Sequence, residues 1–259
     1  MLGMPCRHGE CPSLYIQLYC EPRLPYVFMK TAPSRPAPTS VDPSNWDSAN
    51  LSIRQQNCRA ILAAAGDEFA AKGFAATRTE DIARRAGLPK ANVYYYFQSK
   101  ENLYRQVLHE VIQPFLQASA LLRPEDEPRA ALSAYIRARL GIAERLPSAF
   151  RVFIRELMHG GAQLPDNLRQ TLEAETQRQL ACLRQWIDSG RLARLNPQHL
   201  LLTLWSATQT YVDFGWQIGL ITGRGEPGPE DFERAVQTLV RLLLDGVGLP
   251  SSRLRPLPL

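Results

Sequence analysis

TRTEDIARRAGLPKANVYYYFQSK, residues 77–100, decides the fold, because it reads as two short helices joined by a tight turn. Thr77-Arg78-Thr79-Glu80 has the pattern of a capping box, in which the Thr77 hydroxyl accepts from the Glu80 amide while Glu80 reaches back. Ile82, Ala83 and Ala86 then form the apolar edge of a helix about two turns long. Gly87 follows, where a chain leaving a helix turns with positive φ at no steric cost. Leu88 plugs the turn, and Pro89 suits the first turn of the next helix, where its missing N–H is not needed. Val93 and Phe97, four apart, give that helix its inward face, and the side of Tyr95 is expected to turn toward the same core. Lys90, Asn92, Tyr94 and Tyr96 point outward or sideways. Ala83, Gly87 and Val93 stand where a helix-turn-helix needs a small crossing residue, a turn glycine and a core residue. Taken alone, the turn also fits an ordinary helical hairpin in an all-α domain.

The surroundings favour the first reading. Upstream, Cys58, Ile61, Leu62, Ala65 and Phe69 recur at helical spacing from about Arg54 to Lys72, and Gly73 ends the run. Downstream, Ser99 is placed to cap a long helix through Leu103, Val107, Leu108, Val111 and Ile112. Helix, Gly-Phe, turn, tyrosine helix, Phe-x-Ser-Lys and long helix together resemble the N-terminal DNA-binding domain of TetR-family regulators, with NVYYYFQSKENLY the most specific part. The resemblance implies a three-helix head carried on a long fourth helix.

Charge agrees with a specific DNA binder rather than a polycation. The formal net charge is +5, and residues 51–104 hold eight Lys/Arg against five Asp/Glu. No apolar run approaches the roughly 18–20 residues of a membrane span. Five scattered cysteines argue for a reducing, cytoplasmic setting and against a disulfide framework. Cys6, His8, Cys11 and Cys20 lack the spacing of a zinc site, and His109, His159 and His199 are dispersed, so no metal is expected.

Residues 1–50 carry eight of the twenty prolines and four charges of each sign, the composition of a disordered tail, and Met29 offers an alternative start. The division expected is therefore tail 1–50, helix-turn-helix head 51–99 and helical body 100–248. Body helices are expected at about 100–122, 128–146, 147–159, 165–189, 197–220 and 229–246, with no strand-like alternation, which makes the fold all-α. Helix 229–246 shows Phe232, Val236, Leu239, Val240, Leu243 and Leu244 on one broad face. That face and the 197–220 helix serve either the body core or a dimer interface. TetR-like proteins dimerise through their last two long helices, and a two-fold dimer suits a palindromic operator with half-sites about 34–36 Å apart.

In LWSATQTYVDFGWQ, residues 204–217, Trp205, Gln209 and Asp213 recur every four residues, bordered by Ser206. An indole, an amide and a carboxylate on an apolar helix need partners if buried. Those partners are either neighbouring helices or a flat, polar ligand. Segments PSAFRVFIREL, SGRLARLNPQHL, LWSATQTYVDFGWQ and FERAVQTLVRLLLDG are similar to RutR-type regulators of pyrimidine utilisation, extending the resemblance to residues 54–246. It implies an effector site holding uracil, thymine or a dihydro derivative, with Trp205 on the ring and Gln209 and Asp213 at its edge. Phe115 stands where that group often has a tryptophan.

For DNA, Lys90 and Asn92 suit base edges, Ala91 lies between them, and Tyr94 suits a base or a phosphate. Tyr96, Lys100, Thr77 and Thr79 suit phosphates. The reading that follows is a homodimeric regulator, a repressor released by its ligand. A TetR-like sensor of a hydrophobic or acyl ligand is the alternative, and an all-α enzyme a remote one, since no nucleophile–base pair, metal spacing or phosphate-binding glycine loop is visible and no cofactor is implied.

Overall fold

The computed structural model describes residues 52–223 and 227–248; the proline-rich tail, its cysteines and Met29 lie outside the described residues. Among the described residues the chain is all helix: α1 (Ile53–Ala76), α2 (Thr79–Arg85), α3 (Lys90–Phe97), α4 (Lys100–Ser119), α5 (Pro128–Arg145), α6 (Pro147–Met158), α7 (Asp166–Asp188), α8 (Pro197–Asp213), α9 (Gly215–Thr222) and α10 (Pro229–Gly248).

A capping box does open the head, but on α1. The Gln55 amide donates to Ser52 Oγ at 3.3 Å, and the Ser52 amide donates to Gln55 Oε1 at 3.0 Å. Regular α1 geometry breaks at Gly73, where φ is 78°. Thr77 then closes this helix instead of opening the next. Its amide donates to the Gly73 carbonyl at 3.3 Å, and its hydroxyl donates to the Gly73 and Glu68 carbonyls at 2.7 and 3.1 Å. The expected Thr77–Glu80 box is therefore absent, because the Gly73 break leaves orphan carbonyls that claim the hydroxyl first. α2 starts from Arg78 without a side-chain cap. Ser99 caps α4 as expected, accepting from the Asn102 amide at 3.1 Å.

The expected helix 197–220 is two helices. Phe214 leaves helical dihedrals (φ −111°, ψ 38°), and α9 restarts at Gly215, a residue of low helix propensity. α5 is the body's central helix, packed by α4, α8 and α10, while α7 lies along α8. Fully buried Leu108, Ile112, Leu132, Ile136, Phe150, Leu183 and Leu204 fill the body core, which is continuous with Ile61, Phe69, Ile82 and Leu103 of the head region.

Head and body meet mainly through α1 on α6. Ser148 Oγ donates to Asp67 Oδ1 at 2.6 Å, and Arg155 donates to the Ala70 carbonyl at 3.3 Å. The Tyr104 hydroxyl of α4 donates to buried Glu156 of α6 at 2.8 Å; burial and this carboxylate push the Tyr104 phenol well up. No helix among the described residues is long and apolar enough to cross a membrane.

Candidate DNA interface and body cluster

The α2–α3 turn closes as a Schellman motif. The Leu88 amide donates to the Ala83 carbonyl at 3.0 Å and the Gly87 amide to the Arg84 carbonyl at 3.2 Å, with Gly87 at φ 67°. Leu88 is half-buried against the core, and Pro89 is the residue just before α3. The geometry fixes which side of α3 faces out. Val93 and Phe97 are 1% and 6% exposed and anchor it.

Around that anchor each residue turns about 100°, which sorts the rest. Lys90 and Tyr94 form one flank, Asn92 and Tyr96 the other, and Ala91 and Tyr95 the outermost strip. Tyr95 is 70% exposed, correcting the expectation that it turns inward: it stands about 200° from Val93. Tyr96 is the half-buried tyrosine. Its hydroxyl accepts from Asn57 Nδ2 at 3.3 Å and its ring lies 6.0 Å from the Arg54 guanidinium.

The Lys90 flank is a small network. Lys90 donates to the Glu80 carboxylate and sits 5.6 Å over the Tyr94 ring, whose hydroxyl lies 3.1 Å from Thr79 Oγ1. The Lys90 hydrogen bond holds the Glu80 carboxyl below its usual range, and Glu80 raises the Lys90 ammonium. Behind it, Lys72 bridges Glu68 (2.7 Å) and Asp81 (3.0 Å), Arg85 pairs with Glu68 (2.8 Å), and Arg84 with Asp81. Several of the head's cations are thus committed to holding α1 against α2. Arg78 is exposed at the start of α2, and Arg54 stands beside Tyr96 at the start of α1. Neither was singled out from sequence, although both are arginines at helix starts.

Two expected phosphate contacts serve the protein itself. Thr77 is 2% exposed with its hydroxyl turned to main-chain carbonyls. Lys100 Nζ donates to the carbonyls of Phe74, Thr77 and Ala75 at 3.0, 3.2 and 3.5 Å, over the Phe74 ring at 4.5 Å. An ammonium has three N–H groups, and all three are engaged by the frayed end of α1.

In the body, the structure brings Phe115 and Trp205 into one cluster. Trp205 Nε1 donates to the Tyr135 hydroxyl at 2.9 Å. Tyr135 reaches Gln179 Oε1 at 3.5 Å, and Gln179 donates to Ser119 Oγ at 2.6 Å. Arg139 donates through Nε to Thr208 Oγ1 at 2.8 Å and lies 4.8 Å over the Phe115 ring. Phe115 also packs edge-on to Phe150 at 4.8 Å and against Phe153 at 5.4 Å. Tyr135, Arg139 and Thr208 were missed in the sequence, though Thr208 follows Trp205 by three residues.

Ser206 and Asp213 are exposed and Gln209 is half-buried, its Nε2 donating to Asp213 Oδ2 at 2.7 Å. Steps of four residues advance a helix about 400°, so the stripe drifts by about 80° from Trp205 to Asp213. That drift carries Asp213 out of the Trp205–Tyr135 cluster. Among the described residues no group of three or more His, Cys, Asp or Glu converges as a metal site. Cys58 and Cys182 are buried, and neither is in a disulfide among the described residues.

A helix-turn-helix on a helical body is the build of a DNA-binding transcription regulator. Comparison with known proteins agrees. Residues 61–107 match the bacterial regulatory proteins of the tetR family, and residues 108–250 the C-terminal region of YcdC-like proteins. The HTH-type transcriptional regulator RutR of Escherichia coli strain K12 is 38% identical over 189 residues, 73% of this chain and 89% of its own. The solved structure of the probable transcriptional regulatory protein RHA5900 aligns with TM-score 0.61 at 19% identity, covering 74% of this chain and 100% of its own. AibR, solved with isovaleryl coenzyme A and operator DNA, gives TM-score 0.53 at 18% identity over 72% and 97% of the two chains. The chain belongs to the TetR family of DNA-binding transcription regulators and is not an enzyme.

Proposed function

We propose that this chain is a homodimeric repressor, working in the cytoplasm, that leaves a palindromic operator when a small planar ligand of the pyrimidine-base class enters the body. The observation that carries the reading is the internal cluster in which Trp205 bonds Tyr135 and Arg139 bonds Thr208 while lying over the Phe115 ring. Aromatic walls with a few fixed polar groups are what a flat polar ligand needs, whereas an acyl chain would call for an aliphatic lining. The likeness to RutR supports the same class.

DNA is read by the outer side of α3. Lys90, Ala91 and Asn92 address base edges, Tyr94 and Tyr95 the groove, and Thr79, Tyr96, Arg54 and Arg78 the backbone on either side. Lys90 must exchange Glu80 for DNA when it binds. The dimer forms through the outer faces of α8, α9 and α10, where Leu202, Trp216, Leu220 and Leu242 are 52–76% exposed. Ser206, Gln209 and Asp213 lie beside this surface and border the ligand site from there.

Coupling runs through α6 as well as α4. Arg151 donates to the Val212 carbonyl of α8 at 3.0 Å, Phe150 and Phe153 contact Phe115, and Ser148 and Arg155 hold α1. A ligand that separates α8 from α5 moves α6 and, with it, the head. It does so only to the extent that it binds the released state better.

The test is a gel shift of a palindromic upstream fragment by purified protein, with uracil, thymine or dihydrouracil added. Release by a pyrimidine base supports the reading. A shift that no pyrimidine relieves, but a long acyl compound does, rejects the effector class and leaves the regulator.

A further inference from the structure

Arg139 is 7% exposed at the centre of the body. Other ordered body arginines are met by carboxylates or by main-chain carbonyls: Arg129 pairs with Asp245 (3.0 Å), Arg137 with Glu233 (2.6 Å) and Arg178 with Glu175 (2.5 Å), while Arg151 and Arg155 donate to the Val212 and Ala70 carbonyls at 3.0 and 3.3 Å. Arg139, more deeply buried than these, has no carboxylate within ion-pair distance among the described residues. The carboxylates withdrawn from solvent face other groups: Glu68 pairs with Lys72 and Arg85, Glu156 bonds Tyr104 and the Gln163 amide, and Glu110 feels the charge of Arg59. Removing a cation from water without a counter-charge is costly, and the Phe115 and Tyr135 rings at 4.8 and 5.7 Å offset only part of that.

The neighbours do not complete it. A guanidinium has five N–H donors. Nε reaches Thr208 Oγ1 at 2.8 Å, and Nη1 reaches the Tyr135 hydroxyl only at 3.5 Å. That hydroxyl already receives the Trp205 N–H at 2.9 Å, and the Thr208 hydroxyl turns its own proton to the Leu204 and Trp205 carbonyls at 3.0 and 2.9 Å. Donors converge here and acceptors are few. Trp205, half-buried, is the most exposed member of this group.

We infer that the effector carries a negative charge: a small planar ring bearing an anionic oxygen, which accepts from Arg139 while the ring packs against Phe115 and Trp205. The inference rests on the proposed effector site in the body and specifies the charge of what that site takes. Among pyrimidines it selects a ring carboxylate over the uncharged base, because only the former neutralises the buried guanidinium.

The test is calorimetry of the full-length protein near neutral pH with uracil, uracil-6-carboxylate and benzoate, for the natural sequence, Arg139→Lys and Arg139→Met. Uracil-6-carboxylate is expected to bind at least about tenfold more tightly than uracil, a preference kept in part by Arg139→Lys and lost in Arg139→Met. The comparison within the unaltered protein decides the matter even if Arg139→Met fails to fold. Uracil binding as well as or better than its carboxylate overturns the inference and leaves the effector site standing. A preference that survives in folded Arg139→Met also overturns it. Silence from all three compounds overturns the inference and the proposed pyrimidine site together.

Discussion

Replacing Lys100 by Met separates two roles for one ammonium. In the structure it caps α1 through carbonyls at 3.0, 3.2 and 3.5 Å, of which the last is at the limit of a hydrogen bond. A hydrogen bond from a charged donor contributes about 1.5–3 kcal/mol net, so the two good ones bound the loss at about 3–6 kcal/mol. Water can reach this half-exposed site to replace the lost donors, and methionine is freed from the ordering that holds the lysine stem. The expected destabilisation is therefore about 2–3 kcal/mol. At about 2–4 °C per kcal/mol for a chain of this size, the midpoint of thermal unfolding falls by about 5–10 °C. Circular dichroism melting of Lys100→Met beside the unaltered protein gives the number, and operator affinity across a salt series completes it. An unchanged melting temperature with a salt slope shallower by about one would refute the capping argument, because it is the signature of a lost phosphate contact.

Tyr95→Ala is expected to leave stability within about 0.5 kcal/mol, as for other exposed sites, while lowering operator affinity about fivefold or more; unaltered affinity would remove Tyr95 from the interface. Gly87→Ala should cost about 1 kcal/mol or more through positive φ alone, since a Cβ there meets no atom within 4 Å. Gln98, also at positive φ (66°), should gain up to about 1 kcal/mol on change to Gly, and urea midpoints moving the same way for both variants would contradict the backbone argument. Burial lifts the Glu110 carboxyl to about 7, against a weaker opposing effect of Arg59. The folded state thus holds that proton more tightly, so stability is greatest below the normal carboxylate range and falls as pH rises through about 7. Glu110→Gln should match the unaltered protein near pH 4 and melt higher at about pH 8; identical melting curves at both would count against it.

The sequence by itself determined whatever rests on neighbours a few residues apart. Gly87, the Val93–Phe97 pair and the Ser99 cap act within one or two turns, so residue type and spacing suffice. The TetR resemblance rests on the same local runs. Tyr95 was open to the same arithmetic, since its angle from Val93 follows from helix geometry alone. Thr77 shows the limit of local reasoning: its hydroxyl suited a box with Glu80, but the break at Gly73 set which helix end lay nearest. Tertiary structure alone assigned Lys100 to carbonyls 23–26 residues earlier. It also joined Trp205 to Tyr135 across 70 positions and Arg139 to Thr208 across 69. Periodicity tells which residues share a face of one helix, and says nothing of which face of another helix meets it. A buried cation without a counter-charge becomes visible only when both faces are in place.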